Sequence, residues 1–306
     1  MSRRTRPSPL PPRDGVDATR VVVRADGLSV GEALLAAPSL AGLDPAALES
    51  RARAGEIVDI DGRALDLERP VRRNTTIFLY RELPDEPPIP FDLPILHRDD
   101  NIVVVDKPHF LATMPRGRHV VQSALVRLRR ELGVDEIAPA HRLDRLTAGV
   151  LLFTLRPQVR AGYQSIFAER RAIKEYRALA PVRPELAGTV TVRNRIEKTA
   201  GDLRALVVDG EINAVSDITL IDARIGLYRL VPHTGRTHQL RLHMALLGAP
   251  IVDDPLYPDV RTDLAALPDD GDFTRPLRLL ASSLAFDDPM TGERREFVSR
   301  MSLGVP

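Results

Sequence analysis

PAHRLDRLTAGVLLF, residues 139–153, combines a charged, turn-rich segment with an apolar run. Asp144 lies between Arg142 and Arg145, and the turn-forming residues 147–149 follow before the apolar run begins. Nearby cations favour the ionised form of a carboxyl group. An ionised Asp144 at the edge of a buried strand would suit a nucleophile or a base better than a general acid. The alternative is a structural ion pair on a surface loop.

A second dense segment, PHTGRTHQLRLHMALLGAPIVDDPLY, covers residues 232–257. Arg236 and Arg241 flank His238 where a helix is expected to begin, and a helix N-terminus with such donors attracts phosphate or carboxylate groups. His238 also belongs to a set of three histidines, with His233 and His243, spaced by five residues. That spacing does not share one helix face, and no flanking pattern resembles a zinc motif. We therefore expect polar packing or RNA contact here, and no metal.

Composition limits the classes of protein that fit. The chain has 306 residues, of which 43% are apolar and none is cysteine, so disulfides, thiolate catalysis and finger-type zinc sites are excluded. No apolar run approaches the ~20 residues of a membrane helix. Residues 1–13 lack the apolar segment of a secretory signal. We expect a cytoplasmic protein that does not contact a membrane.

The distribution of charge is more informative than its sum. The net charge is only +1, but residues 101–180 hold 14 Lys or Arg against 7 Asp or Glu. A basic segment in a near-neutral chain indicates a surface that faces a polyanion. Of the 43 basic residues, only Lys107, Lys174 and Lys198 are lysines. The planar fork of arginine suits phosphates and base edges, although a genome rich in arginine codons would give the same bias.

The chain is expected to divide into four parts. Residues 1–20 have the composition of a flexible basic tail. Residues 21–82 predict a small N-terminal domain with helices at 30–36 and 45–54, then β-like stretches at 57–67 and 75–80 with a hairpin turn at Asp61-Gly62. This pattern resembles the small RNA-binding module of certain ribosomal proteins, and an unrelated cap domain is the alternative. Residues 83–94 predict a proline-rich linker before a catalytic domain at 95–306.

The larger domain is expected to be α+β, with a mostly antiparallel sheet, because it has many strand patterns and few helical ones. Helices are predicted at 121–132, 158–171 and 238–247. Strands are predicted at 102–105, 150–154, 176–179, 189–192, 218–221, 227–231, 277–286 and 296–300.

Four segments in this order resemble the RluA-type pseudouridine synthases. They are DKP at 106–108, HRLDRLTAG at 141–149, KEYRAL at 174–179 and TGRTHQLRLHMALLG at 234–248. The run LRLLASSLAFDDPMTGE, from residue 277, is similar to the closing strand of that family. The resemblance covers residues 93–297 and implies a pseudouridine-synthase-type fold, a mixed, mainly antiparallel sheet with flanking helices.

The resemblance also implies roles for single residues. Asp144 would be the catalytic aspartate, Tyr176 would stack on the target uracil, and Arg241 would hold the carboxylate, with Arg236 a second candidate. Arg142 would enter the RNA stack where the flipped base had been. With Arg145, Arg236 and His238 it forms the expected RNA-binding set. The implied substrate is a uridine of ribosomal RNA or tRNA, used by a monomer without cofactor or metal.

The sequence departs from the family pattern at two places, and two rival functions remain open. His109-Phe110 follow the DKP segment where the family usually has a small residue and glycine, and Ala148 replaces a serine. A glycoside hydrolase would need two opposed carboxylates, and Asp253-Asp254 could supply the second. A non-catalytic RNA-binding protein of the same fold would be expected to lose Asp144 or Tyr176, and both are present.

Overall fold

The computed structural model describes residues 8–83, 85–117 and 119–304. The chain divides into two compact units. The smaller unit takes in the chain up to Asp85 together with Arg129–Asp135, and the larger unit takes in Glu86–Leu128 and the chain from Glu136 onward. No helix in the described part of the chain is both long and apolar enough to cross a bilayer.

The smaller unit packs two short helices against two small antiparallel pairs of strands. Its elements are β1 (Thr19–Val22), β2 (Leu28–Ser29), α1 (Val30–Leu35), α2 (Pro45–Arg53), β3 (Pro70–Val71) and β4 (Thr76–Leu79). β1 pairs with β4 and β2 with β3. Ser29 begins α1 with a capping box, in which its side chain accepts from the Glu32 backbone N–H and the Glu32 carboxylate accepts from the Ser29 N–H. Both predicted helices are confirmed.

Two expectations for this unit differ from the structure. Residues 1–7 of the predicted flexible tail lie outside the described residues. The rest of that segment is packed: the Arg13 guanidinium donates to Glu56 at 2.7 Å, and the Tyr80 hydroxyl donates to the Pro11 carbonyl. The Asp61-Gly62 turn forms, but residues 57–67 form no regular strand; Val58 makes isolated bridges.

The larger unit carries an eleven-stranded sheet and the remaining helices. Its helices are α3 (Ala124–Leu132, whose last residues belong to the smaller unit), α4 (Pro157–Ala168), α5 (Gln239–Leu246) and α6 (Thr262–Ala266). Its strands are β5 (Ile95–Arg98), β6 (Ile102–Lys107), β7 (Ala138–Pro139), β8 (Ala148–Thr154), β9 (Ile173–Leu179), β10 (Val190–Glu197), β11 (Leu206–Val208), β12 (Ala214–Asp222), β13 (Leu227–Pro232), β14 (Leu279–Asp287) and β15 (Arg294–Val298).

The sheet is mixed and mainly antiparallel, as expected. Its main path runs β11-β10-β12-β13-β9-β14-β8-β6-β5, with β15 beside β14 and β7 beside β8. β14 and β8 are parallel, and the other ladders among the described strands are antiparallel. β8 is buried along its whole length, which explains its continuous apolar sequence.

The parallel contact brings two distant motifs together. Ala281 of β14 pairs with Tyr176 of β9 on one side and with Gly149 of β8 on the other. Neighbouring strands lie ~4.8 Å apart, so the segment before Gly149 begins two strand spacings from Tyr176. A Cβ at Gly149, which has φ +113°, would overlap the carbonyl oxygen of Ala281. Glycine is therefore required for this close approach.

The predicted proline-rich linker is partly built into the larger unit. The Glu86 carboxylate accepts backbone hydrogen bonds from Val120, Val121 and Gln122 at 2.7–3.1 Å. Arg127 of α3 donates to the carbonyls of residues 89 and 91. Residues 86–91 therefore act as a fixed strap along the start of α3.

Candidate active site

A cleft of about 1060 Å³ opens in the larger unit. Its walls come from the segment before β8, from β9, from the segment that enters α5 and from the segment around α6. All seven residues predicted for the site line this cleft: Arg142, Asp144, Arg145, Tyr176, Arg236, His238 and Arg241. The structure thus brings together residues that are up to 99 positions apart in the sequence.

Asp144 lies on the loop between β7 and β8, and backbone contacts fix this loop. The buried Thr113 hydroxyl donates to the Leu143 carbonyl at 2.8 Å and accepts from the Leu143 N–H at 3.1 Å. The Thr147 N–H donates to the Asp144 carbonyl at 3.0 Å. These bonds leave the half-buried carboxylate directed at the cleft. Within the described residues it accepts no hydrogen bond, so it is available to a ligand.

A buried lysine supports the same loop from beneath. The Lys107 ammonium donates to the carbonyls of Pro108, Leu111 and Arg145 at 2.9, 2.8 and 3.3 Å. Burial lowers the pKa of Lys107 to about 7, and the charge of Asp144 opposes that shift. In the sequence, Lys107 stands out only as part of the DKP motif, without a predicted role of its own. The partners of Lys107 are main-chain carbonyls, which leave no signal in the sequence.

His109 is a second support that the sequence analysis left outside the site. Its Nδ1 donates to the Leu146 carbonyl at 2.7 Å, so the ring holds the loop two residues beyond Asp144. Burial lowers the pKa of His109 to about 4, so the ring is neutral at pH 7. The departure from the family pattern at this position therefore lies in direct contact with the loop that carries Asp144.

Tyr176 stands in the middle of β9 and lines the cleft opposite that loop. Burial, followed by the negative charge of Asp144, raises the pKa of Tyr176 above its ordinary value. The phenol is therefore neutral at pH 7 and close enough to Asp144 to sense its charge. Its ring packs against the apolar cluster that also contacts Leu146. A rigid aromatic face beside a carboxylate is suited to holding a planar base.

Arg241 forms a buried two-point ion pair with Asp254. Its Nε and Nη2 donate to the two carboxylate oxygens at 2.8 and 2.5 Å. Burial opposes the charge of the guanidinium, but the bonds to Asp254 and the charges of Asp254 and Asp144 raise the pKa of Arg241. Asp144 thus acts on Arg241 through its field, while the hydrogen bonds of Arg241 go to Asp254. The expectation that Arg241 holds the Asp144 carboxylate stays a prediction.

The segment that enters α5 is organised by one buried amide. The Gln239 side-chain oxygen accepts from the Thr234 hydroxyl at 2.7 Å and from the Arg236 N–H at 3.0 Å. Its NH₂ group donates to the Val215 carbonyl and the Ser216 hydroxyl. The Arg236 guanidinium is exposed and reaches the Asn213 carbonyl at 3.2 Å. Gln239 therefore fixes the turn on which Arg236 is presented to the cleft.

The three evenly spaced histidines have separate partners. His233 contacts Asp217 at 2.7 Å, His238 contacts the Tyr257 hydroxyl at 3.2 Å, and His243 contacts Asn194 at 3.1 Å. Burial is the main cause that lowers the pKa of His238 to about 4, so it faces the cleft as a neutral ring. No group of three potential metal ligands occurs in the described ranges. Independence from metal stays a prediction.

The carboxylates that a glycoside hydrolase would need are occupied by arginines. Asp254 is the partner of Arg241, and Asp253 accepts from Arg275 at 2.7 and 3.0 Å. Asp253 reaches the cleft wall but is tied there by its ion pair. Both candidates for the second carboxylate are therefore tied to arginines, whereas Asp144 accepts no hydrogen bond from the described residues.

The chain is similar to known RNA-modifying enzymes. The family model for RNA pseudouridylate synthase matches residues 101–246. The dual-specificity RNA pseudouridine synthase RluA of Pasteurella multocida is 33% identical, over 69% of this chain and 94% of its own length. The tRNA pseudouridine synthase C of the same organism is 33% identical, over 66% of this chain and 88% of its own length.

Two solved structures of pseudouridylate synthase domains are similar to this chain. Human RNA pseudouridylate synthase domain containing 4 matches with a TM-score of 0.52 and 25% identity, over 68% of this chain and 88% of that one. Human RNA pseudouridylate synthase domain containing 1 matches with a TM-score of 0.53 and 24% identity, over 71% and 86%. At 24% identity, this second match is evidence for the fold alone.

Proposed function

Because this chain belongs to the RNA pseudouridine synthase family, we propose that Asp144 is the carboxylate that acts on the ribose of a uridine flipped into the cleft. The sequence resemblance and the expected fold are confirmed by the relatives. The observation that carries the assignment of Asp144 is its position. It is a carboxylate on a braced loop, directed at a large cleft and without a hydrogen-bond donor among the described residues.

The protein is an isomerase that converts uridine in RNA to pseudouridine. The reaction breaks the bond from uracil N1 to ribose C1′, turns the base and joins C5 to C1′, with no net redox change or hydrolysis. Asp144 could attack C1′ as a nucleophile with uracil as the leaving group, or remove the 2′ proton so that uracil leaves and the sugar becomes a glycal. Both routes need an ionised carboxylate and a base held nearby while it turns.

The other cleft residues would divide the remaining work. Tyr176 would stack on the uracil, since base–aromatic stacking contributes ~1–3 kcal/mol. Flipping the base costs a few kcal/mol, and the exposed Arg142 would offset part of this by filling the vacated stack. Arg241, braced by Asp254, would keep a fixed positive field on Asp144. Arg145, Arg236 and His238 would contact the RNA around the target.

The relatives indicate the class of RNA. One is named a dual-specificity RNA pseudouridine synthase, and others are named for tRNA, including a mitochondrial tRNA pseudouridine(32) synthase of Saccharomyces cerevisiae. We extend this to a uridine of ribosomal RNA or tRNA in the present chain. The smaller unit would add RNA affinity. A cytoplasmic, monomeric enzyme without a cofactor remains our prediction.

The test is release of tritium from C5 of uridine in transcripts of tRNA and ribosomal RNA. The parent protein should release tritium, because C5 exchanges its hydrogen for the new glycosidic bond. The Asp144→Asn variant should fold and bind RNA but release none. Release by that variant within tenfold of the parent rate would remove Asp144 from the catalytic role. A non-catalytic RNA-binding protein would bind the same transcripts without any release.

A further inference from the structure

Lys174 places an ammonium at the wall of the cleft. The side chain is partly buried and lines the cleft, and burial lowers the pKa of Lys174 without an opposing contribution from a carboxylate. The neighbouring Glu175 lies on the other face of β9, where it accepts from Arg177 and Arg229. In the described ranges the Lys174 ammonium makes no ion pair. A desolvated charge without a partner destabilises the folded protein. An anion that binds beside Lys174 would therefore be stabilised by the ammonium.

The position of Lys174 relative to Tyr176 defines where that anion would lie. Alternate residues of a strand point to the same face and stand ~6.8 Å apart along it. Lys174 and Tyr176 therefore face the cleft side by side, and both line it. If Tyr176 holds a base, the ammonium lies about one ribose away, where the phosphate of the same or the adjoining nucleotide would be.

Gly235 lies on the other side of the proposed anion position, and its lack of a side chain leaves space there. A Cβ built on Gly235 would lie 3.9 Å from the Lys174 Nζ. The backbone of the segment that enters α5 thus approaches the ammonium, and a longer side chain would fill the space beside it. The charge of Lys174 also acts on His141. Burial, followed by the Lys174 charge, lowers the pKa of His141 to about 3. A neutral imidazole leaves the ammonium free to bind an anion.

We propose that Lys174 binds a backbone phosphate of the RNA next to the target uridine, and so sets how deep the nucleotide enters the cleft. The proposal rests on the proposed function, because Asp144 and Tyr176 define where the uridine lies. Phosphate is the anion that an RNA substrate supplies at every nucleotide. A lysine ammonium, compact and with three donors, can follow a phosphate as the base turns beneath it.

Salt dependence of binding tests this contact without turnover. Affinity for a transcript is measured against salt in the Asp144→Asn background, alone and combined with Lys174→Met, Lys174→Arg or Arg177→Met. Loss of one phosphate contact makes the negative slope of log affinity against log salt shallower by about 0.7–0.9. We expect this for Lys174→Met, with the parent slope kept by Lys174→Arg. Arg177→Met is the control, because it removes one charge from the opposite face of the same strand.

If the slope is unchanged in Lys174→Met, or if it changes by the same amount in Arg177→Met, the proposed phosphate contact is wrong. If Lys174→Met does not fold, Lys174→Gln replaces it in the same comparison. In the presence of Asp144, tritium release should show a KM raised about tenfold by Lys174→Met, with kcat reduced less. A parent protein that releases no tritium defeats the proposed function, while the binding slope still decides on Lys174.

Discussion

The guanidinium of Arg241 meets the carboxylate of Asp254 edge to edge, with N–O distances of 2.8 and 2.5 Å, and both side chains are at least 97% buried. Arg241 lines the cleft, and Asp144 is close enough to raise the pKa of Arg241. The Asp254 carboxylate also accepts from the N–H groups of Leu256 and Tyr257. Asp254 therefore fixes both the arginine and the segment that follows α5.

Asp254→Asn should destabilise the protein and slow the reaction. Removing one partner of a buried ion pair costs about 3–5 kcal/mol, and Arg241 would lose its fixed orientation beside Asp144. The adjacent variant Asp253→Asn is the matched control, because it breaks a pair with Arg275 whose guanidinium is half-exposed, so its loss should be smaller. Urea unfolding and single-turnover tritium release measure the two effects. Equal losses from both variants would contradict a special role for the buried pair.

Gly149→Ala should prevent stable folding of the larger unit. A methyl group there would overlap the Ala281 carbonyl oxygen, and alanine also disfavours the φ of +113°. The parallel contact between β8 and β14 would have to open, which would move the Asp144 loop away from Tyr176. Gly188→Ala is the control, since its Cβ meets nothing within 4 Å. Soluble yield and thermal midpoint measure the difference; a Gly149→Ala protein as stable as the parent would show that this approach can relax.

The buried His141 should make stability depend on acid. Its Nε2 accepts from the Leu152 N–H at 3.2 Å, and burial lowers the pKa of His141 to about 3. Between pH 6.5 and about 3, His141 binds a proton in the unfolded chain but not in the folded chain. The free energy of unfolding therefore falls as the pH falls. From pH 7 to pH 5 this amounts to about 2 kcal/mol.

His141→Gln keeps an acceptor for Leu152 but cannot titrate, so the fall of unfolding free energy between pH 7 and pH 5 should be smaller than in the parent. Ile166→Val is the control, because it trims a buried side chain of α4 while keeping His141 and the Phe167 ring that is stacked on it. Its pH dependence should match that of the parent even though its stability is lower. An unaltered slope in His141→Gln would mean that His141 is not the group that resists protonation.

The sequence predicted the longer helices and strands of the larger unit and seven residues of the cleft, but not the partners of those residues, nor short elements such as β7 and β11. β8 and β9 were predictable because one is a continuous apolar run and the other carries a motif. The partner of Arg241 was not, since Asp254 lies 13 residues along the chain and an Asp-Asp pair offers two candidates. The roles of Lys107 and His109 depend on main-chain carbonyls of the loop. Such contacts have no side-chain signature, so only the fold reveals them.

Arg142 is exposed at the mouth of the cleft, two residues before Asp144. Asp144 can act only on a uridine that has left its helix, and the vacated position exposes two unstacked base faces. A planar guanidinium can fill that gap and still meet phosphates. Arg142→Ala should therefore reduce single-turnover rates on a structured stem-loop about tenfold more than on a flexible single strand, where little stacking has to be replaced.

The competing role for Arg142 is to act on Asp144 through its charge. Arg142→Lys separates the two roles, because it keeps the charge and loses the planar fork. If Arg142 replaces the flipped base, the lysine variant should resemble the alanine variant on the stem-loop and resemble the parent on the single strand. If the charge is what matters, the lysine variant should be active on both RNAs and the alanine variant impaired equally on both. That second pattern would remove Arg142 from base flipping and leave it as an electrostatic partner of Asp144.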